Sequence, residues 1–217
     1  FGNVGITADN NTNTFTIENT GTGDLTLNGS PKVEITGTNA TDFTVTVQPT
    51  SPVAATNGTT TFSIKFDPTT IGSKTATVSI ANNDADEDPY TFAISGYGGK
   101  PFITTWKTNN AGSSNNTSIT IPSVGGGYNY DVDWDNDGVF DEFNIKGNKT
   151  HDYGMAGTYQ VAIRGSFPRI YFNDGGDKEK LLSIDQWGDI VWGSMGRAFY
   201  GCENMVLNAT DVPNTAS

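Results

Sequence analysis

Between Asn13 and Tyr97 polar and apolar residues alternate in short runs, and Gly, Asn, Asp or Pro divides each run from the next. A period of two puts successive side chains on opposite faces of an extended chain, which a helix of 3.6 residues per turn cannot do. Thr14-Phe15-Thr16-Ile17-Glu18 is the pattern in miniature, and Asn19-Thr20-Gly21-Thr22-Gly23-Asp24 then turns the chain before Leu25-Thr26-Leu27. The same logic predicts strands at Val33–Ile35, Phe43–Val47, Thr61–Phe66, Thr75–Ile80 and Tyr90–Ile94. About seven strands of this kind, each burying one face, close a core as an immunoglobulin-like Greek-key sandwich.

The chain has 217 residues, more than one small β domain needs, so two domains are expected. Hydrophobic residues make up 35% and charged residues 17%, which excludes a disordered, charge-rich chain and a helical bundle. Twenty-four acidic side chains against 12 basic ones leave a formal charge of −12. Nucleic acid and anionic membrane surfaces would be repelled, and cations are the favoured small partners. No apolar run reaches the roughly 18 residues of a membrane span, so membrane insertion is not expected. Phe1-Gly2-Asn3 lacks the basic start and apolar core of a signal peptide and reads as the opening of a processed or excised piece. A single cysteine, Cys202, excludes an internal disulfide framework. The several Asn-x-Ser/Thr triplets, such as Asn39-Ala40-Thr41, follow from an Asn- and Thr-rich composition.

Four phrases in order carry a family likeness: Phe15 to Gly21, Ile35 to Phe43, Phe66-Asp67-Pro68-Thr69 and Ala76 to Asp84. With them, residues 1–98 resemble the choice-of-anchor D family, related to the ASPM/SPD-2/Hydin-like sandwiches. The resemblance implies a non-catalytic spacer or interaction module on bacterial surface and secreted proteins. Phe1-Gly2-Asn3-Val4 resembles that family's first strand without its upstream part.

Gly96-Tyr97-Gly98-Gly99-Lys100-Pro101 punctuates the chain, and a second unit is expected over 99–165. Strands are predicted at Phe102–Trp106, Ser118–Ile121, Tyr128–Trp134 and Thr158–Ile163. Between the last two, residues 131 to 142 read Asp-Val-Asp-Trp-Asp-Asn-Asp-Gly-Val-Phe-Asp-Glu, six carboxylates in twelve positions. Such crowding requires neutralisation, and calcium takes about six to eight oxygens from this kind of alternate spacing. Two registers compete. Starting at Asp133, ligands fall at Asp133, Asp135, Asp137, the Val139 carbonyl and Asp141, with Gly138 at the sharp turn and Glu142 closing the sphere. Starting at Asp131, Glu142 takes the twelfth position but Asn136 replaces the glycine. The first is preferred because the turn needs glycine more than the closing carboxylate needs one position. Magnesium, which keeps its waters, suits so many carboxylates less well, and a solvated acidic hairpin is the plain alternative.

Thr150 to Ile163 contains His151-Asp152-Tyr153 and Gly157-Thr158-Tyr159-Gln160-Val161, which resembles the signature of PKD domains; Tyr130 to Asp135 is similar to their Trp-Asp strand. That resemblance implies a second small sandwich used as an extracellular spacer. His151 and Asp152 are neighbours on a strand and point to opposite faces, so a packing role for His151 is expected rather than a catalytic dyad. Asp135, Asp137, Asp141 and Glu142 lack the cleft that glycosidase carboxylates occupy. No phosphate-binding glycine loop, nucleophile elbow or metal-binding histidine pair is present. The chain reads as no enzyme.

From residue 166 the character changes. Met195-Gly196-Arg197-Ala198-Phe199-Tyr200-Gly201-Cys202-Glu203-Asn204 resembles the repeat core of BspA-like leucine-rich-repeat surface proteins. In that reading Leu181, Ile184 and Trp187 form a strand-side ridge, Met195, Phe199 and Cys202 a buried stripe, and Asn204 bonds a backbone edge. A short helix is expected at about residues 194–200 and disorder near Val212 to Ser217, because one solenoid repeat does not bury both its faces.

The expected fold is mainly β: two immunoglobulin-like sandwiches at 1–98 and 99–165, then the cap and first leucine-rich repeat at 166–217. The expected function is a spacer or adhesion segment of a bacterial cell-surface or secreted protein. Calcium, surface glycans and other cell-surface proteins are its expected partners, and the family likenesses imply type IX secretion. A carbohydrate-binding accessory region of a secreted hydrolase is the alternative. Exposure of Trp106, Tyr128 and Trp134 on one face would favour it, and their burial would favour the spacer.

Overall fold

The alternation of the first hundred residues becomes strands that bury every second side chain. The computed structural model describes residues 1–6 and 9–215, which form two units, Phe1–Gly98 and Gly99–Ser217. The molecule is mainly β; helical structure among the described residues is one 3-10 turn, Ala40–Asp42.

The first unit comprises β1 (Asn3–Val4), β2 (Asn11–Asn19), β3 (Glu34–Thr36), β4 (Phe43–Val47), β5 (Gly58–Phe66), β6 (Gly72–Ile80) and β7 (Tyr90–Gly98). They make two sheets, ordered β1-β7-β6-β3 and β2-β5-β4. Phe62, Ile64 and Phe66 of β5 and Ala76, Val78 and Ile80 of β6 all point into one core, as period-two patterning requires. This agrees with the expected immunoglobulin-like sandwich. Leu25-Thr26-Leu27 makes two isolated bridges instead of a strand: Leu25 pairs with Val53 and Leu27 with Asn82. A three-residue run whose ends bond to different segments has no ladder to join.

The second unit comprises β8 (Phe102–Lys107), β9 (Ser118–Ile121), β10 (Asn129–Asp133), β11 (Glu142–Ile145), β12 (Lys149–Asp152), β13 (Thr158–Ser166), β14 (Leu181–Gln186), β15 (Val191–Trp192), β16 (Val206–Leu207) and β17 (Asn214–Thr215). Its main sheet runs β11-β10-β13-β8-β14-β16, and β9 pairs with β12 in a small second sheet. One apolar core takes Phe102 and Trp106 from β8, Ile119 and Ile121 from β9, and Val161 and Ile163 from β13. β11, only four residues long, and β12, which carries no apolar residue, form without a strong sequence signal because their partner strands supply the template.

The segment from residue 166 onward is part of this unit, not separate from it. Leu181 on β14 pairs opposite Trp106 on β8, and Phe167, Ile170, Leu181, Ile184, Trp187 and Trp192 lie in the same core. Cys202 is buried, with Met195 and Phe199 partly buried against that core. Asn204 donates to the Glu179 carbonyl at 2.7 Å. β14 pairs with β16, and β15 with β17, in parallel. Ser183 meets Val206 and Val191 meets Asn214, the same offset of 23 that separates Asn208 from the Asp185 carboxylate it bonds.

The helix expected near 194–200 does not form. Gly193, Gly196 and Gly201 weaken any helix there, and Arg197 takes a left-handed φ of 56° that a right-handed helix excludes; the segment is a chain of turns. In the stretch expected to be disordered, Asn214–Thr215 is β17 and Val212 is exposed, while Ala216 and Ser217 lie outside the described residues.

Candidate metal centre

β10 carries the acidic run out of the sheet core and β11 carries it back. The hairpin closes where the Asp141 amide donates to the Val132 carbonyl at 2.9 Å. The loop turns on Asn136 (φ 57°) and Gly138 (φ 94°), so the glycine that was required at this position does occupy a left-handed conformation.

Asp133, the last residue of β10, has no solvent exposure. Its carboxylate accepts the amides of Asp135 and Asp137 at 3.3 Å each and of Gly138 at 2.9 Å, wrapping the loop around one side chain. Burial pushes the Asp133 carboxyl above its ordinary pKa, against the pull of these amides. Asp141 accepts the Trp134 amide at 2.8 Å. One oxygen from each of Asp133, Asp135 and Asp141 lies within 4.8 Å of the others. These three carboxylates converge on a space in which a hard cation would find ligands of the right chemistry.

The other expected ligands are placed differently. Asp137 turns back to accept the Val139 amide at 2.7 Å, and Val139 itself is exposed. Glu142 is not one of the three that converge: its carboxylate contacts the Lys149 ammonium and accepts the Trp134 indole N–H at 3.3 Å. Asp131, the start of the competing register, is paired with Arg164 at 3.2 Å. Lys149 and Arg164 thus meet Glu142 and Asp131, carboxylates outside the Asp133–Asp135–Asp141 group.

Aromatic packing braces the loop from below. The Trp134 ring stacks on His151 at 4.6 Å, His151 meets Tyr153 edge-on at 4.5 Å, and Tyr153 stacks on Tyr159 at 3.6 Å. The Tyr153 hydroxyl donates to the Trp134 carbonyl at 2.9 Å. His151 and Tyr153 share a face because they are two apart on an extended chain, and that spacing was the available signal; their meeting with Trp134 was not visible in sequence. Burial lowers the His151 pKa, and Asp152 faces elsewhere, accepting from Thr117 at 2.6 Å and from the Gly154 amide at 2.8 Å. The two do not form a dyad.

Trp106, Tyr128 and Trp134 are all buried, so none offers a face on which a sugar stacks. Burial likewise raises the Cys202 thiol to about 12, leaving it without thiolate character at neutral pH. No helix among the described residues is long and apolar enough to cross a membrane.

Comparison with known proteins finds a likeness for the first unit. A family model described as HYDIN/CFA65/VesB-like, Ig-like domain matches residues 1–97. No curated protein matches the chain. Among solved structures the chain is similar to the secreted serine protease VesC from Vibrio cholerae, with 13% identity over 74% of this chain and a TM-score of 0.40. The chain spans 44% of that protein's length.

Proposed function

We propose that this chain is a non-enzymatic segment of a bacterial cell-surface or secreted multidomain protein, a spacer and contact module whose second unit is stiffened by calcium. The observation that carries the calcium reading is the buried Asp133, already wrapped by three loop amides, with Asp135 and Asp141 brought beside it. Such a site supplies three anionic oxygens, and calcium's remaining positions would fall to loop carbonyls and water. Asp133, Asp135 and Asp141 would hold the ion, and its charge would relieve the repulsion between them.

The spacer reading rests on the immunoglobulin-like family of residues 1–97 and on burial of the aromatic rings that a sugar-binding face would need to expose. An extracellular setting is in keeping with both, and a PKD-like second sandwich fits the core shared by the main sheet and the β9–β12 sheet of the second unit. The start of a leucine-rich-repeat array is supported by the parallel ladders at a constant offset of 23 residues, within the roughly 20–29 of such repeats. The edge strand β16 leaves Val206 and Leu207 exposed, as a repeat awaiting its neighbour would. Melting the protein with EDTA and with millimolar calcium tests the site: a higher melting temperature with calcium is expected, and coincident curves would remove calcium from the proposal.

A further inference from the structure

In the first unit β2 has one partner, β5, along its whole length. Every second N–H and C=O of β2 therefore faces away from the sheet, with nothing laddered against it among the described strands. Across the sandwich, β1 pairs with β7 only at Tyr97 and Gly98, so the Tyr90 end of β7 is a second open edge. Between the two edges lies a groove of about 590 Å³.

Its lining is apolar at the base and acidic at the rim. Phe15, Ile17, Leu25 and Phe92 pack on the core but stay only partly buried, and Tyr90 is 48% exposed at the mouth. Asn19 closes one end, its side-chain amide donating to the carbonyls of Gly23, Val53 and Ala54. The charged lining residues are Glu18, Asp84 and Glu87. Asp84 also feels Asp86, whose hydrogen bond and charge raise its carboxyl above the ordinary value. Among the described residues no lysine or arginine lines the groove, and Lys65 and Lys74 of this unit are engaged elsewhere, with Asp67 and Thr70.

We propose that this groove receives an extended strand from another polypeptide, laid beside β2 with alternate apolar side chains on Phe15, Ile17 and Phe92 and with lysines or arginines against Glu18, Asp84 and Glu87. Backbone ladder bonds supply affinity in this mode, and the pockets beneath alternate side chains supply selectivity. The spacing of the strand follows from Phe15 and Ile17, which sit two residues apart and so demand apolar side chains at every second position of the guest. A second copy of the chain is a poor guest: residues 1–98 carry ten acidic and three basic side chains, and two such rims would repel. A small cation would use the rim and ignore the apolar base.

The groove is lined by residues of the first unit and the acidic loop belongs to the second, so the test is run on the whole chain in EDTA, where loss of the metal reading would leave it untouched. The probe is a fluorescein-labelled, end-capped peptide of about eight residues alternating lysine with valine or isoleucine. Its comparators are the same residues in non-alternating order and a copy with glutamate for lysine. The alternating basic peptide is expected to bind about tenfold more tightly than either comparator and to slow hydrogen exchange along β2. Glu18→Lys combined with Glu87→Lys is expected to weaken it about fivefold with an unchanged melting temperature. Equal affinity for the non-alternating peptide, protection away from β2, or no binding at millimolar peptide would overturn the proposal. So would concentration-dependent dimerisation that protects β2 without peptide, which would assign the groove to a second copy.

Discussion

Lys180 and Asp177 face each other with no solvent exposure on either side chain, the ammonium 3.9 Å from the carboxylate. Neither depends on the other alone. Lys180 donates among the carbonyls of Ser114, Asn115 and Ser118 and the Ser114 hydroxyl, at 2.7 to 3.1 Å. Asp177 accepts the amides of Ser114 and Thr120 and the Ser114 hydroxyl. The pair thus sews the segment after residue 166 to the loop before β9, and burial lowers the Lys180 pKa even so.

Lys180→Met removes the cation and leaves Asp177 and three carbonyls without it. Breaking one side of a buried pair of this kind costs about 3–5 kcal/mol. Chemical denaturation followed by tryptophan fluorescence should show that loss, since all four tryptophans, Trp106, Trp134, Trp187 and Trp192, belong to the second unit. A variant as stable as the parent would mean that the pair holds nothing together.

Asp133→Asn keeps an oxygen for the loop amides and discards the charge. Calcium binding at about a hundredfold over its dissociation constant stabilises by about 2.7 kcal/mol. Differential scanning calorimetry of the variant should show no calcium-dependent shift, whereas Glu142→Gln, whose carboxylate is engaged by Lys149, should keep most of it. The reverse ranking would restore Glu142 as the closing ligand.

Tyr153→Phe keeps the stack on Tyr159 and deletes the hydroxyl that bonds the Trp134 carbonyl. The expected loss is about 1 kcal/mol, with faster hydrogen exchange in the 134–141 loop as the sign that the brace has gone. Unchanged exchange there would show that stacking alone holds Trp134.

Asp185 sets an acid limit on the second unit. Burial alone would raise its carboxyl, but hydrogen bonds from Thr105 at 2.6 Å, Ser183 at 2.8 Å and Asn208 at 3.1 Å outweigh it, and the net pKa is below the ordinary value. A depressed carboxylate pKa contributes stability that is present above the unfolded value near 3.8 and lost as pH falls through the folded value. Asp185→Asn should lower stability at pH 7 by about 1–3 kcal/mol. That gap should shrink as the pH falls below about 4, where the unfolded chain takes up the proton, and close as the native carboxylate takes it up at lower pH. A gap constant with pH would trace the effect to shape and not to ionisation.

What the chain determined by itself is the local pattern. Phe62, Ile64 and Phe66 announce β5 and its buried face without help from any neighbour, because side chains two apart on a strand share a side. Gly138 among the aspartates likewise announces a sharp acidic turn, since the left-handed conformation found there favours glycine. Tertiary structure decided what distant residues do together. Glu142 resembles a ligand in sequence, and Lys149 on β12 engages its carboxylate; β11 exists because β10 offers it an edge; and Leu181 joins β8, within the second unit, because Trp106 is there to be covered. The physical reason is common to all three: charge pairing, ladder bonding and apolar burial act through space, and each partner lies on a different stretch of chain.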